Sequence, residues 1–120
     1  MKPLLTFYGD DFTGSTAVME VLSFAGVPTM LFMEPPELEV LKEYPTLQAI
    51  GVAGTARSKN PAWMRSNLPA VFEKLKNFGA PVSHYKVCST FDSSPEIGSI
   101  GVATEIGDAI FGADWVPLVV

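Results

Sequence analysis

Three short stretches of this sequence gather residues able to handle a small, hydroxyl-rich anion. The first, Gly9-Asp10-Asp11-Phe12-Thr13-Gly14-Ser15, sets two adjacent carboxylates among glycines and hydroxyls. Such a pair can accept hydrogen bonds from sugar hydroxyls, bind a magnesium ion or act as a general base. The glycines let a ligand approach the backbone, and the free N–H groups of a following helix attract an anion. One of the aspartates can equally well serve only to cap that helix. The second stretch, Gly54-Thr55-Ala56-Arg57-Ser58, places an arginine beside hydroxyls. Its planar fork suits a carboxylate or a phosphate. The third, Lys86-Val87-Cys88-Ser89-Thr90-Phe91-Asp92-Ser93-Ser94-Pro95-Glu96, holds four hydroxyls and a carboxylate. A loop of that kind can cradle an anionic polyol. Ser94 as a helix cap would explain one of its serines, not the whole set. Lys86 has two possible directions, toward the site or toward a covering helix.

Other reactive side chains carry less. Cys88 has no base within its motif and reads as a small buried apolar residue. His84, the single histidine, falls in the middle of a strand and reads as structural. The glutamates between Glu34 and Glu43 read as a solvated surface.

The elements that must position these stretches alternate between strand and helix. Apolar runs Leu4–Gly9, Pro28–Met33, Leu47–Gly54 and Val82–Cys88 predict four strands, and Trp115–Val120 a fifth. Val18, Val21, Leu22 and Ala25 recur at helical spacing before Gly26, a natural C-cap. A short helical turn is expected around Leu38–Leu41. Asn60-Pro61 opens a helix with the stripe Trp63, Leu68, Val71, Phe72, Leu75 and Phe78, which Pro69 should kink or split. A last helix is expected from Ser94 to about Phe111. Its Gly98, Gly101 and Gly107 each cost about 1 kcal/mol against alanine, which points to close packing on that helix. Strands apolar on both faces, separated by helices, indicate an α/β fold: a three-layer, Rossmann-like parallel sheet with helices on both faces. Ligands of such sheets bind beyond the strand carboxyl ends, which selects the three polar loops and the less polar Met33–Pro36.

Composition removes several classes. The chain has 120 residues, 48% hydrophobic and 18% charged, which fits one packed domain rather than disorder. A net charge of -5 argues against a nucleic-acid backbone as partner. No apolar run is long enough for a bilayer, and Met1–Leu5 reaches Asp10 too soon for a signal peptide, so a cytoplasmic protein with no membrane partner is expected. The single Cys88 excludes an internal disulfide and a multi-cysteine zinc site. Ending within a buried-type strand, the chain is expected to be the first part of a longer protein. The open edge there is expected to be covered by further chain or, in a homo-oligomer, by a second copy.

Three readings of the acidic pair fail on spacing. A haloacid-dehalogenase phosphatase requires an aspartate where Gly9 stands, two residues before Asp11. A response-regulator receiver requires a phospho-accepting aspartate at the end of strand three, where Gly54-Thr55-Ala56-Arg57 is found. Gly9 and Gly14 do not form the Gly-x-Gly-x-x-Gly of a dinucleotide fold.

Gly9–Ser15, Thr55–Ser58 and the long stretch Tyr85–Gly101 together resemble, in order along the chain, the N-terminal domain of the four-carbon acid sugar kinases. That resemblance implies ATP-dependent phosphorylation of the terminal hydroxyl of threonate, erythronate or 3-oxo-tetronate. This domain would supply the sugar-acid site, and a separate C-terminal domain absent from this chain would bind most of the ATP and Mg2+. Many relatives carry Arg-Gly-Asn after the Ser-Thr of the third motif. Phe91-Asp92-Ser93-Ser94-Pro95 stands there instead, so arginine contacts from that loop do not carry over. The expected catalytic residues are Asp10 and Asp11, with the choice of base between them open. The expected substrate-binding residues are Arg57 for the acid end, with Ser58, Lys86, Ser89, Thr90 and Asp92, and no metal ligands are expected. The alternative is a stand-alone small-molecule binding or regulatory module.

Overall fold

The computed structural model describes residues 2–120; Met1 lies outside them. Four strands, β1 (Leu5–Gly9), β2 (Thr29–Phe32), β3 (Ala49–Ala53) and β4 (Val82–Lys86), form one parallel sheet in the order β2-β3-β1-β4. Four α-helices are interleaved: α1 (Phe12–Phe24), α2 (Leu38–Lys42), α3 (Pro61–Asn77) and α4 (Ile100–Phe111).

The strand order dictates the layers. The connection from β1 to β2 passes over β3 in one direction, and that from β3 to β4 passes over β1 in the other. Parallel crossovers are right-handed, so two that run in opposite directions lie on opposite faces. Accordingly α1 covers one face and α2, α3 and α4 the other, which gives the expected three-layer α/β arrangement. Side-chain alternation follows suit. Tyr8 and Val52 join Met64, Leu68 and Phe72 of α3 and Ala103 and Ile106 of α4 in the main core. On the α1 side, Phe7 fills the space beside Gly51, where a Cβ would overlap its ring. All five residues of β3 are buried, the signature of a strand covered on both faces. Tyr8 stacks on Tyr85 with ring centroids 5.5 Å apart, and the Phe72 ring meets Tyr8 edge-on at 5.9 Å. Leu68 is fully buried at the centre of this cluster. Leu68→Ala should therefore lower stability by about 2–5 kcal/mol, read from a denaturant midpoint.

Three expectations need correction. Pro69 does not split α3, which runs as a single element from Pro61 to Asn77. Met64, Leu68, Phe72 and Leu75 lie on both sides of the proline and hold both halves against the same core. The proline removes the donor to the carbonyl of Arg65, an exposed residue, where water can replace it. The last helix begins at Ile100 with Ser99 as its N-cap, not at Ser94. Ser94 instead closes a turn, accepting from the Ile97 amide at 3.0 Å, and Gly98 stands at φ +61°, outside right-handed helix. The misplaced start also undoes the expectation for the glycines, since not all three mark close packing. A Cβ at Gly101 or Gly107 would find only ordinary contacts, whereas one at Gly98 would strike the Arg57 carbonyl.

The third correction concerns Trp115–Val120, which forms no strand and lies exposed. A strand requires a neighbour to complete its ladder, and none of the four strands pairs with this segment. The α1 layer is also thin, leaving Val21 and Phe24 largely in solvent. Among the described residues, no helix is long and apolar enough to cross a membrane.

Candidate functional site

β1 and β3 are neighbours whose outgoing chains turn to opposite faces of the sheet. That makes the space outside their carboxyl ends the topological switch point of the sheet, the place where open α/β sheets hold ligands. The Gly9–Ser15 and Gly54–Asn60 loops rim it, and the loop after β4 adjoins it. Backbone hydrogen bonds knit the three strand ends: Gly54 N–H donates to Gly9 O at 2.9 Å, Arg57 N–H to Asp10 O at 3.0 Å, and Asp10 N–H to Lys86 O at 3.0 Å.

The two aspartates have different surroundings. Asp11 is the N-cap of α1, its Oδ1 accepting from the Gly14 amide at 2.8 Å. Its other oxygen faces Arg57 Nη1 at 3.6 Å. Helix geometry therefore accounts for Asp11 without any ligand. Asp10 is only 2% exposed, and its Oδ1 has no hydrogen-bond partner among the described residues. Burial, and secondarily the neighbouring Asp11 carboxylate, push its pKa up to about 6 against the opposing pull of Arg57, Lys86 and the Cys88 amide. A buried carboxyl with one unpaired oxygen and a pKa of about 6 is largely ionised at neutral pH and suited to accepting a proton there.

Arg57 sits in a 3-10 turn, Ala56–Ser58, and links the first and third loops. Its Nε reaches Asp92 Oδ1 at 3.3 Å and its Nη2 reaches Asp92 Oδ2 and Thr90 Oγ1, each at 3.3 Å. The Thr90 hydroxyl also bonds Asp92, and this bond followed by Arg57 holds the Asp92 carboxyl below its ordinary range. Gly98 packs under the same turn, donating its N–H to Lys59 O at 2.8 Å.

The remaining expected residues divide. Thr90 and Asp92 meet at Arg57. Ser58 bonds the Thr55 carbonyl of its own turn at 3.1 Å. Lys86 lies over Gly14, where the first loop enters α1, its Nζ bonding the adjacent Val87 carbonyl. Ser89 is exposed at the loop tip. Ser93 and Ser94 are engaged in the turn before α4, where Ser93 Oγ accepts from the Ile100 amide at 2.9 Å and Ser94 Oγ from Ile97. Cys88 is buried and free; His84 lies in β4 with an exposed side, and partial desolvation followed by the Lys86 charge holds its pKa down.

Beside these residues, on the α3 face, lies a hollow that the motifs did not point to. Phe12, Met33, Glu34, Thr55, Trp63 and Asn67 line it. The strand-end rule had selected Met33–Pro36, but its lack of polar residues hid its nearness to the site. Among the described residues, no group of three or more His, Cys, Asp or Glu side chains is gathered to hold a metal ion.

Comparison with known proteins identifies the family. A 3-oxo-isoapionate kinase of Paraburkholderia graminis is 50% identical over 117 residues, covering 98% of this chain and 25% of the relative. A 3-oxo-tetronate kinase of Burkholderia multivorans is 34% identical over 112 residues, 92% of this chain and 25% of its own length. Another from Pseudomonas fluorescens is 30% identical over 114 residues, with 95% and 26% covered. The chain thus spans about a quarter of the length of the curated relatives it matches. A family described as the sugar-binding N-terminal domain matches residues 5–120. Through that match and these kinase relatives, the resemblance carried by its three motifs is established: the chain belongs to the sugar-binding N-terminal domain family of the four-carbon acid sugar kinases.

Proposed function

We propose that this chain supplies the sugar-acid site of an ATP-dependent kinase that phosphorylates the terminal hydroxyl of a small sugar acid. The candidate acids are threonate, erythronate and 3-oxo-tetronate, together with 3-oxo-isoapionate, for which the 50% identical relative is named. The observation that carries this reading is the meeting of Arg57, whose N–H bonds the Asp10 carbonyl at 3.0 Å, with the buried Asp10 carboxyl, one oxygen of which lacks a partner among the described residues.

In this reading Arg57 binds the acid end of the substrate. Thr90, Ser89 and Ser58 accept from or donate to its hydroxyls, Asp92 lines the Arg57 fork, and Lys86 offsets negative charge beside α1. Asp10 orients the terminal hydroxyl and takes its proton as the oxygen–phosphorus bond forms and ADP departs. ATP with Mg2+ supplies the phosphoryl group when bound. Asp11 holds the start of α1 and so fixes the loop from which Asp10 projects. Phosphoryl transfer asks little more of a protein than positioning and charge neutralisation, and this small set is sufficient for the acceptor side.

The test is an ADP-release assay of the full-length protein with each of the four acids, repeated on Arg57→Ala. Turnover with at least one acid is expected, and Arg57→Ala should raise its KM by about ten- to a hundredfold, as for loss of hydrogen bonds to a charged group. No turnover with any of them, alongside measurable binding, would favour a non-catalytic binding module.

A further inference from the structure

We infer that Asp92 is a resident carboxylate, seated on the Arg57 fork until the carboxylate of the substrate displaces it, and that this exchange sets the affinity of the site. The inference rests on the reading of Arg57 as the ligand for the acid end. The Nε–Nη2 edge of a guanidinium is one a carboxylate can grip with both oxygens. Asp92 occupies that edge of Arg57, at 3.3 Å from Nε and 3.3 Å from Nη2. Thr90 shares Nη2, and Asp11 takes Nη1. Nε and Nη2 thus already donate to protein oxygens, so a carboxylate that grips this edge with both oxygens must remove Asp92.

Asp92 is the one free to leave. The Asp11 side chain is 18% exposed and pinned by its cap to α1, whereas that of Asp92 is 58% exposed. Its contacts with Arg57 are longer than the roughly 2.7–2.9 Å of a tight charge-assisted bond. Its neighbour Phe91 stands at φ 52°, a left-handed conformation unfavourable for a bulky side chain. Holding the loop in this place therefore carries strain that departure would release. Charge leads to the same conclusion. With Asp11 and Asp92 both against one guanidinium, a third carboxylate entering without an exit would meet net repulsion. The exchange of one carboxylate for another leaves the charge balance unchanged. A neutral polyol, unable to replace Asp92, would leave the fork closed.

The experiment is a double-mutant cycle on the full-length protein: KM for the best acid in the assay above, in wild type, Asp92→Asn, Arg57→Ala and the double variant. Asp92→Asn should lower KM by about two- to fivefold, the scale of an exposed ion pair. In the Arg57→Ala background the same change should have no effect, because the competition acts only through the guanidinium. An unchanged or raised KM in Asp92→Asn, with the Arg57→Ala defect intact, overturns the displacement and leaves the site reading standing. A normal KM in Arg57→Ala overturns the site reading itself and the displacement with it. Both side chains are at the surface, so neither substitution removes core packing.

Discussion

Asp10→Asn in the full-length protein is expected to lower kcat by about a hundred- to ten-thousandfold, the usual weight of a general base. Asp11→Asn should do much less, because asparagine caps a helix nearly as well as aspartate. The two substitutions therefore separate base from cap, and near-normal turnover in Asp10→Asn would remove Asp10 from the mechanism. The pH dependence follows from the same burial. With a pKa of about 6, Asp10 is available as a base only above that pH, so kcat/KM should rise to a plateau through pH 6. Stability should move the other way. The folded pKa lies above the ordinary 3.8, so the folded chain keeps a proton that the unfolded chain has lost. That contribution is complete below about pH 4 and is lost as pH rises through 6. Above pH 6 the ionised, half-desolvated carboxylate should cost on the order of 1–2 kcal/mol after allowance for solvent screening. A thermal melt at pH 8 should accordingly place Asp10→Asn above wild type, an inactive but more stable variant.

Gly98→Ala is the second large effect, and it acts from outside the motif residues. At φ +61° an alanine is strained by about 1 kcal/mol or more. Its Cβ would also overlap the Arg57 carbonyl and lie 3.1 Å from that residue's carbonyl carbon. Both atoms are backbone and cannot rotate aside, so relief requires the turn at Ala56–Ser58 to shift, at about 1–3 kcal/mol. A total loss of about 2–4 kcal/mol is expected, with a raised KM because Arg57 moves with the turn. Gly101→Ala, three residues on in α4, is the control. Its nearest neighbour would be Ser99 Oγ at 3.7 Å, and helix propensity should make it stabilising by about 0.5–1 kcal/mol. Equal melting temperatures for the two variants would refute the contrast.

How much of this was legible in the residues depended on whether the information was local. β3 was legible because a strand covered on both faces must be apolar throughout, whereas β4 is largely exposed and carries polar residues. Asn60-Pro61 marked the start of α3 because cap and fixed φ are properties of two adjacent residues. The start of α4 was misplaced because Ser94 and Ser99 are both competent caps; what decides is Gly98, whose conformation is set by packing on a turn about 40 residues away in sequence. The expected fifth strand had the right composition and no partner. At the site, the residue types were legible and their division of labour was not. Asp10 and Asp11 are consecutive, and the extended backbone of Asp11 sends one side chain inward and the other toward Arg57. Likewise, nothing in the spacing of Arg57 and Asp92 announced that one would hold the other.

The hydrogen bonds that continue past the ends of β1, β3 and β4 tie three separate loops into one body. Gly54 to Gly9, Arg57 to Asp10 and Asp10 to Lys86 extend the sheet beyond its last ladder pairs. A displacement of any one of these loops is therefore felt by the other two through the main chain, without a side chain as messenger.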